Sequence, residues 1–573
     1  MSFIKEKEKF IENKLNELGY LNESVQILPS SKKELGDFQI NTAMMLAKKY
    51  HKNPMEIAKE ITSCLDLEFV NVNIANPGFI NFSFQDESLL NYLNNGILNF
   101  QNLFDKHPEK LIFLDYGGAN AAKALHVGHM RSANIGEALR RLCNLLGYKT
   151  ISDVHLGDLG RQAGMLISEI KLRNPNLAFF DENYQGEYEK VNYTSKDLGE
   201  MYVAANIAAN KDPKRMEEVR EITAAIDSGN KRYLALWRQL VDISCVEIKK
   251  VYDELNCHFD LFEGELDSFK DIPAMLEVVN PFLYESNGAM VMDVKLETDT
   301  KEVPPLIVIK KDGATIYATR DLATIYSREK RFHPDEIWYV VDSRQGLYFE
   351  QVFRASYKAG LVNDKIKLLH LGFGTINGSD GKPYKTRDGG VMELGSLIDL
   401  IGIEIEAKIK EEIQENREEI KNKLTIATLK FADLMSNRQT DYIFDPVKFS
   451  SFDGKTGPYI LYTSVRLKSI LNKSEATNYQ ITTINNQEMK NIFLKILEIS
   501  NVLNRSFQDK SLNYITDFLF DLASLFNKFY NNYHILTEPD IKIKNSYLGM
   551  TKLVSNVISN LLNVLAIDEV DKM

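Results

Sequence analysis

The chain has 573 residues, of which 44% are hydrophobic and 26% are charged, and its formal net charge is -11. These proportions are typical of a globular protein and exclude a chain that is mostly disordered. The length predicts two to four domains. The negative charge argues against a protein coated in basic charge for nonspecific binding to DNA, but it is compatible with a local basic face for one structured RNA.

We expect a protein of the cytoplasm without a membrane segment. No run of about 18 apolar residues occurs, and the start, MSFIKEKEKF, lacks the apolar core of a signal peptide. The cysteines form no C-x-x-C pair, which suits a reducing compartment and argues against a cysteine-based zinc site. They are Cys64, Cys143, Cys245 and Cys257.

The first zone, residues 1–105, mixes amphipathic helix patterns with a short apolar segment, Phe69–Ile74. The turn-prone sequence Pro77-Gly78-Phe79-Ile80 follows that segment. The next stretch, Gln101–Lys110, is mostly polar and contains His107-Pro108. We interpret this stretch as a linker to a second domain.

The middle zone, residues 106–395, alternates patterns typical of strands and helices. The apolar run at 111–114 suits a buried parallel strand. A Gly-containing loop then leads to a helical pattern over His126–Leu146, with Gly147 placed to end the helix. Tyr148–Val154 is the next predicted strand. Strand, helix and strand in this order predict a βαβ unit and a doubly wound α/β domain.

Later parts of the chain extend this organisation. Further strands are predicted at Leu306–Ile309, Glu336–Val341 and Ile366–Leu371. A helical, charged stretch near 174–250 suggests an insertion within the α/β domain. The last zone, residues 396–573, has an almost wholly helical pattern and predicts an all-α bundle.

The first candidate site is the segment from Asn120 to His129, which lies between the first strand of the βαβ unit and its helix. Ligands of open α/β folds bind at this edge, and phosphates are drawn to the helix N-terminus. His126 and His129 can face one phosphate chain from the first helical turn, and Gly128 allows a nucleotide to approach the backbone. A metal site is a weak alternative without a third ligand, and a loop with two exposed histidines is the structural alternative.

The second candidate site combines Tyr317 and Asp321, followed by Gln345. The first two residues are four apart and so share one face of a helix. A carboxylate accepts a bidentate pair of hydrogen bonds from a guanidinium, which fits arginine better than lysine. Without further context, a surface pair on a helix explains Tyr317 and Asp321 as well.

The third candidate site is the Gly- and Asp-rich stretch at 381–387, which we interpret as a surface loop. It contains Lys382, Lys385 and Arg387. These cations could bind phosphates, or they could form a solvated charge cluster.

These motifs resemble those of a known family. The HVGH segment looks like the HIGH signature of class I aminoacyl-tRNA synthetases, and NAAKALHVGHMRSANIGEALRRL is similar to arginyl-tRNA synthetases. The resemblance continues in the family's order over nearly the whole chain. It includes LGDFQIN at 35–41, NPGFIN at 76–81, VHLGDLGRQAGML at 154–166, YATRDLATI at 317–325, VVDSRQGLYFEQVF at 340–353, DGKPYKTRDGG at 380–390 and TGPYILYTSVRLKSIL at 456–471.

The resemblance implies a three-part fold. A doubly wound parallel, Rossmann-like catalytic domain with a helical insertion would follow an N-terminal α+β additional domain that contacts tRNA. The C-terminal all-α bundle would bind the anticodon. The implied reactants are ATP as a substrate, Mg²⁺, L-arginine and tRNA(Arg), with no zinc and no membrane partner, and we expect a monomer.

The resemblance also implies roles for individual residues. The implied ATP-binding residues are His126, Gly128, His129, Lys382 and Lys385. The implied catalytic residues are His126, His129, Lys123 and Lys385. The implied arginine-binding residues are Asp115, Asn120, His155, Tyr317, Asp321 and Gln345. The implied tRNA-binding residues are Phe38, Asn41, Tyr462 and Arg466.

Some positions depart from the family pattern. The stretch at 381–387 differs from the KMSKS loop that it resembles, so the division of roles between Lys382 and Lys385 is open, and Lys123 stands where a family lysine is thought to compensate. Tyr348 replaces the usual His of a Q-x-x-H-F pattern, and Leu461 and Ser464 replace family residues near Tyr462.

We therefore expect an arginine–tRNA ligase that forms an arginyl-adenylate and then transfers the arginyl group to tRNA. A small HxGH nucleotidylyltransferase shares the phosphate chemistry, but its size would not explain the helical C-terminal zone. A non-catalytic tRNA-binding paralogue should have lost site residues that this chain retains. A class I synthetase for another amino acid is disfavoured by Tyr317, Asp321 and Gln345.

Overall fold

In the computed structural model, the described residues are 2–311, 313, 315–382, 384, 392–409, 415–474, 476 and 478–573. None of their helices is both long enough and apolar enough to cross a membrane.

The N-terminal region packs helices on a four-stranded antiparallel sheet. Its elements are α1 (Phe3–Glu17), β1 (Ile27–Pro29), β2 (Phe38–Ile40), α2 (Thr42–Tyr50), α3 (Pro54–Ser63), β3 (Phe69–Ala75), β4 (Phe79–Phe84) and α4 (Asp86–Leu98). The strand order is β1-β2-β4-β3, and the rings of Phe38, Phe82 and Phe84 pack together in the core. This arrangement agrees with the expected α+β domain.

The central region begins with the predicted βαβ unit. Its elements are β5 (Leu111–Asp115), α5 (Val127–Leu145), β6 (Lys149–Asp153), α6 (Arg161–Arg173), α7 (Ser195–Lys211), α8 (Pro213–Asp227), α9 (Lys231–Glu254), α10 (Ile272–Val279), β7 (Leu283–Ser286), β8 (Ala289–Met292), β9 (Leu306–Ile309), α11 (Tyr317–Phe332), β10 (Glu336–Tyr339), α12 (Gly346–Lys358), β11 (Lys367–His370) and β12 (Ile376–Asn377). Strands β11-β10-β5-β6 form a parallel sheet in that order.

The sequence of the βαβ unit explains its shape. The apolar run of β5 is buried, as expected for a strand covered on both faces. Helix α5 ends before Gly147, whose φ of +96° belongs to the left-handed region that a glycine adopts easily. The strand and helix predictions for this unit are therefore confirmed to within a few residues.

The predicted helical insertion and the predicted strand at Leu306–Ile309 are both present in the central region. The sequence did not predict the separate sheet to which this strand belongs. Helices α7, α8 and α9 form the expected helical insertion between α6 and α10. The predicted strand Leu306–Ile309 is present, but it pairs with β8 in an antiparallel sheet of order β7-β8-β9. Among the described residues, this small sheet shares no strand with the parallel sheet.

The C-terminal region is mainly helical, as expected. Its elements are α13 (Leu394–Glu406), α14 (Arg417–Leu434), β13 (Tyr442–Ile443), α15 (Pro446–Phe449), α16 (Gly457–Lys473), α17 (Gln487–Leu497), α18 (Ile499–Asp509), α19 (Asn513–Asn532) and α20 (Ile541–Val564). Strand β13 pairs in parallel with β12. This pairing connects the bundle with the segment that leads to Lys382.

Candidate active site

The HVGH segment lies at the N-terminus of α5, after the loop that follows β5. His126 is the N-cap residue, and its Nδ1 accepts a hydrogen bond of 3.1 Å from the N–H of Gly128. In return, the N–H of His126 donates to Nδ1 of His129 at 3.0 Å. The two rings stack with centroids 3.7 Å apart. A Cβ at Gly128 would lie 3.0 Å from Cε1 of His126, so the glycine makes room for this imidazole.

Both imidazoles are neutral hydrogen-bond donors at pH 7. Burial lowers the pKa of His126 below its usual range and lowers that of His129 to about 3. Because each Nδ1 accepts a backbone N–H, the proton resides on Nε2. Neither Nε2 has a hydrogen-bond partner within the described parts of the chain. The helix N-terminus and the two Nε2–H groups therefore provide donors for an anionic oxygen.

Lys123 is an exposed cation just before these histidines. Its Nζ lies 5.5 Å from the ring centroid of Tyr202 on α7. The loop residues just before the HVGH motif, among them Lys123, line a cleft of about 840 Å³ together with α7 and α9. The role of Lys123 beside a phosphate chain stays a prediction.

The segment that leads to Lys382 is joined to α5, since Nη1 of Arg131 donates to the carbonyl of Thr375 at 3.3 Å. The N–H of the exposed Lys382 donates to Oδ1 of Asp380 at 3.1 Å. The carbonyl of Met392 accepts a hydrogen bond of 3.3 Å from the N–H of Val127, within the HVGH motif. Lys385 lies outside the described residues, and its role stays a prediction, as does that of Lys382.

The ends of β5 and β6 bring together a buried charged cluster. Arg328 of α11 lies 2.8 Å from Oδ2 of Asp115 and 2.8 Å from Oδ2 of Asp153. His155 Nδ1 is 3.6 Å from Asp153 Oδ2. Burial alone would lower the pKa of His155, but Asp153 and Asp115 raise it to about 9, so the ring is protonated at pH 7.

Two of the predicted arginine-binding residues belong to this cluster. Asp115 is 5% exposed and already paired with Arg328. His155 has a φ of +37°, and neither ring nitrogen meets the geometry of a hydrogen bond in the described structure. Such backbone strain is often found at functional sites. Both positions agree with a site at the carboxyl edge of β5 and β6, and direct contact with arginine stays a prediction.

Asn120 lies in the loop between β5 and α5, where it forms a parallel bridge with Gly157. A Cβ at Gly157 would lie 2.6 Å from Oδ1 of Asn120, so the amide fits only against a glycine. The carbonyl of Gly157 accepts from Nε2 of Gln162 at 2.8 Å. These contacts hold the two loops together at the edge of the sheet.

The residues of the second candidate site have different environments. Asp321 lies inward from α11, and the hydroxyl of Tyr348 donates a hydrogen bond to its Oδ2. Tyr317, the first residue of α11, is 60% exposed. Gln345 is exposed at the N-cap of α12, three residues before Tyr348. Asp321 is therefore half-buried near the charged cluster, whereas Tyr317 and Gln345 are accessible.

Sequence reasoning missed several residues around Asp321. Arg328 neutralises the neighbouring aspartates, and Glu265 pairs with Arg320 at 2.5 Å. Burial raises the pKa of Glu265 to about 7, with Asp321 adding to the increase. The arginines stood in the YATRD region and its continuation, but no spacing rule connects them with residues 55 or more positions away.

The predicted tRNA-binding residues of the N-terminal region lie on and after β2. The ring of Phe38 is 5% exposed and packs against Phe82 and Phe84, which favours a role in the core over contact with RNA. Asn41 is half-buried at the N-cap of α2, and its Oδ1 lies 3.4 Å from Nε2 of Gln39. Their tRNA contacts stay predictions.

The predicted anticodon-side residues lie one turn apart on α16. Nη2 of Arg466 donates to the hydroxyl of Tyr462 at 3.0 Å, and Nη1 donates to Oδ1 of Asn527 at 2.6 Å. The guanidinium also lies 4.7 Å from the ring centroid of Tyr530, a residue that the sequence did not indicate. The departure at Ser464 is buried, and its hydroxyl donates to Glu569. The Arg466 guanidinium thus packs against the rings of both Tyr462 and Tyr530, and contacts of these residues with tRNA stay predictions.

Three family descriptions match successive parts of the chain. Residues 5–84 match the arginyl tRNA synthetase N terminal domain. Residues 93–446 match the catalytic domain of tRNA synthetases class I (R), and residues 460–573 match the DALR anticodon binding domain. The domain boundaries expected at 105/106 and 395/396 stay predictions.

Similar proteins agree with this assignment. The arginine–tRNA ligase of Alkaliphilus oremlandii is 41% identical over 100% of this chain and 99% of its own length. That of Francisella tularensis subsp. novicida is also 41% identical, over 94% of this chain and 96% of its own length. Among solved structures, the arginyl-tRNA synthetase of Plasmodium falciparum has a TM-score of 0.80 at 22% identity, covering 100% of this chain and 99% of its own. That of Thermus thermophilus has a TM-score of 0.79 at 20% identity and covers both chains completely. The chain belongs to the arginyl-tRNA synthetases of class I.

Proposed function

We propose that this chain joins L-arginine to tRNA(Arg) through an arginyl-adenylate, with the residues described above in defined roles. The observation that carries the proposal is the arrangement at the carboxyl edge of β5 and β6. Neutral imidazole donors lie at the N-terminus of α5, and Asp321, which has no ion-pair partner among the described residues, lies close to Asp115 at the end of β5. The first group suits a phosphate, and the second suits a guanidinium.

In the first step, the carboxylate of arginine attacks the α-phosphate of ATP in line, and pyrophosphate leaves. Positioning and charge stabilisation provide most of the rate enhancement in such a step. Nε2–H groups of His126 and His129 would donate to the phosphate oxygens as negative charge develops. Lys123, with Lys382 or Lys385, would neutralise the departing pyrophosphate.

In the second step, a hydroxyl of the terminal ribose of the tRNA attacks the activated carbonyl, and AMP leaves. Asn41 and the pair Tyr462 and Arg466 would contact the tRNA, and Phe38 would support the surface of its domain. Mg²⁺ would enter together with the ATP phosphates. Within the described residues, no group of three or more His, Cys, Asp or Glu side chains could hold an ion of its own.

Specificity for arginine would come from Asp321, with Tyr317 and Gln345 at the accessible side of the same site. A half-buried carboxylate disfavours an amino acid that cannot satisfy it, because the carboxylate would lose part of its hydration without compensation. We propose further that the chain acts as a monomer in the cytoplasm. Its four thiols are free, as is usual in a reducing compartment.

The proposal is tested by arginine-dependent ATP–pyrophosphate exchange, measured with and without tRNA and with lysine, glutamate and cysteine as controls. In the variant Asp321→Asn, the KM for arginine should rise by about 10-fold or more, because a charge-assisted pair is lost, while the KM for ATP stays within about twofold. The matched control is Glu329→Gln, a half-buried carboxylate on the same helix. Equal losses for arginine and ATP would identify Asp321 as a structural residue.

A further inference from the structure

The carboxylate of Asp321, which is half-buried, has an unusual partner for an acid inside a protein. Its Oδ2 accepts a hydrogen bond from the hydroxyl of Tyr348, which lies in the first turn of α12. Within the described parts of the chain, this hydroxyl is the one hydrogen-bond donor to the Asp321 side chain, and Asp321 forms no ion pair. Its carboxylate is therefore hydrogen-bonded but has no counter-charge among the described residues.

The neighbouring carboxylates differ from Asp321 in this respect. Asp115 and Asp153 share Arg328, and Glu265 is paired with Arg320. An arginine or lysine beside Asp321 would satisfy the carboxylate equally well, but it would also occupy the charge that a substrate guanidinium needs. A neutral phenol satisfies one lone pair and leaves the charge in place. A carboxylate has about four lone-pair positions, so a bidentate guanidinium can bind beside the phenol.

We propose that Tyr348 is a positioning residue that selects guanidinium over uncharged side chains, because its neutral hydroxyl holds Asp321 in one orientation without supplying a competing positive charge. The proposal rests on the proposed function, in which Asp321 binds the substrate side chain. Tyr348 itself acts through Asp321.

The protonation of Asp321 depends on its surroundings. Charged or titratable groups face it from every element that packs around it. These groups are Asp115 at the end of β5, His155 after β6, Glu265 in the segment before α10, Arg328 on α11, Tyr339 on β10 and Tyr348 on α12.

These surroundings have opposing effects on the pKa of Asp321. Burial raises this pKa above its usual range, whereas the Tyr348 hydrogen bond lowers it. Removal of the hydroxyl should therefore raise the pKa further. Since arginine needs the ionised carboxylate, its binding is present above this pKa and is lost as the pH falls through it. Without the hydroxyl, that loss begins at a higher pH.

Removal of the Tyr348 hydroxyl should also weaken the selectivity for arginine over an uncharged analogue. Citrulline has nearly the shape of arginine, but its side chain ends in a neutral ureido group with a carbonyl oxygen. An ionised Asp321 repels this oxygen, whereas a protonated Asp321 can donate a hydrogen bond to it. A variant that favours the protonated form should therefore discriminate less well between arginine and citrulline.

The test compares wild type, Tyr348→Phe and the control Tyr357→Phe, whose hydroxyl lies on the same helix but donates to the carbonyl of Ile366. Arginine-dependent ATP–pyrophosphate exchange is measured between pH 6 and 8, with citrulline as a competitor. For Tyr348→Phe we expect an arginine KM about 10-fold higher at pH 7, as for the loss of one hydrogen bond to a charged group. The increase should be larger at pH 6 and smaller at pH 8, inhibition by citrulline should be stronger, and the KM for ATP should be unchanged.

A double-mutant cycle separates this role from a purely structural one. If Tyr348 acts through Asp321, then Tyr348→Phe should have no further effect on the arginine KM in an Asp321→Asn background. Multiplicative effects of the two changes, or an unchanged arginine KM in Tyr348→Phe, would overturn the inference. Absence of arginine-dependent exchange in the wild type would instead refute the proposed function, so the two failures are distinguishable.

Discussion

At the scale of single residues, the chemistry of the phosphate site depends on which nitrogen of each imidazole carries the proton. Backbone N–H groups occupy Nδ1 of His126 and of His129, so the Nε2–H groups are the donors. A neutral donor does not attract ATP by charge. It becomes stronger when negative charge develops on a phosphate oxygen during the reaction.

We expect His129→Ala to reduce the rate of arginine activation by about 100-fold to 1,000-fold, or ~2.7–4 kcal/mol, as for loss of one preorganised donor. The pKa of His129 is about 3, so the ring stays neutral between pH 5 and pH 8, and the deficit should be nearly constant over that range. Single-turnover formation of arginyl-adenylate is the appropriate measurement. His333→Ala, which removes an imidazole that is 74% exposed, is the control. A deficit that disappears at one end of the pH range would mean that His129 acts as a charged group.

Individual residues show what sequence alone can predict about the site. His126 and His129 stand in a short motif at the start of a helix, so their type and spacing made them candidates, whereas Asp321 became a candidate over a surface residue only through the resemblance of its motif to the family. Tyr348 was noticed only as a departure, because its partner Asp321 lies 27 positions earlier on another helix. Phe38 also stood in a motif, but its direction into the core depends on the sheet that forms around it. Contacts of this kind need the tertiary structure.

At the scale of secondary structure, α5 carries the histidines and is held against the end of β5 by a very close contact. A Cβ at Gly136 would lie 2.1 Å from Cγ of Tyr116. The Tyr116 ring cannot move aside easily, since it is fully buried and its hydroxyl donates to Glu137 at 2.7 Å. Glycine at this position allows α5 to lie directly on the residue that follows β5.

We therefore expect Gly136→Ala to lower the free energy of unfolding by ~1–3 kcal/mol, because an added methyl group overpacks this contact. Gly199→Ala is the matched control, since Gly199 lies within α7 and a Cβ there would meet no atom within 4 Å. That change should stabilise the helix by up to ~1 kcal/mol. Thermal unfolding of both variants checks the pair of expectations, and equal melting temperatures would contradict the proposed crowding.

Helices and strands were predictable where local signals are strong. The apolar run of β5, the start of α5 at His126 and the glycine after α5 identify a βαβ unit from neighbouring residues alone. The partner with which a strand pairs cannot be predicted from local signals in the same way. Leu306–Ile309 has the composition of a buried strand, but its pairing with β8 in a separate sheet depends on residues outside the segment.

At the scale of the whole molecule, α5 connects the catalytic region with the C-terminal bundle. Nε of Arg131 lies 3.2 Å from Oδ1 of Asp433 on α14, and both side chains are buried. The guanidinium also donates to the carbonyl of Thr375, at 3.3 Å, just before β12. Nδ2 of Asn134 donates to Oδ2 of Asp433 at 3.1 Å. One turn beyond the HVGH motif, the helix is thus bonded to the bundle and to the segment that leads to Lys382.

The N-terminal region contacts the same bundle. Nδ2 of Asn94 donates to the carbonyl of Ile481 at 2.9 Å, and the N–H of Ile481 donates back to Oδ1 of Asn94 at 2.8 Å. Lys490 of α17 lies 2.8 Å from Asp37, beside β2. The two ends of the chain therefore form one continuous structure, which places the candidate tRNA-binding residues of both regions on a common support.

The buried pair of Arg131 and Asp433 should be a major determinant of this assembly. Asp433→Asn would leave the Arg131 charge in the interior without its counter-charge, and removing one partner of a buried pair typically costs ~3–5 kcal/mol. Glu418→Gln is the matched control, because Glu418 lies on the same helix in an exposed pair with Lys421. We expect this control to change stability little.

Chemical denaturation of the full chain, followed by circular dichroism, measures both effects. The double variant Arg131→Met with Asp433→Leu should recover most of the loss, because well-packed apolar side chains replace a buried pair without leaving a charge behind. If Asp433→Asn were no less stable than Glu418→Gln, the pair would not hold α5 to the bundle. If the double variant regained stability but not aminoacylation of tRNA, the pair would also be needed for the alignment of the bundle with the active site.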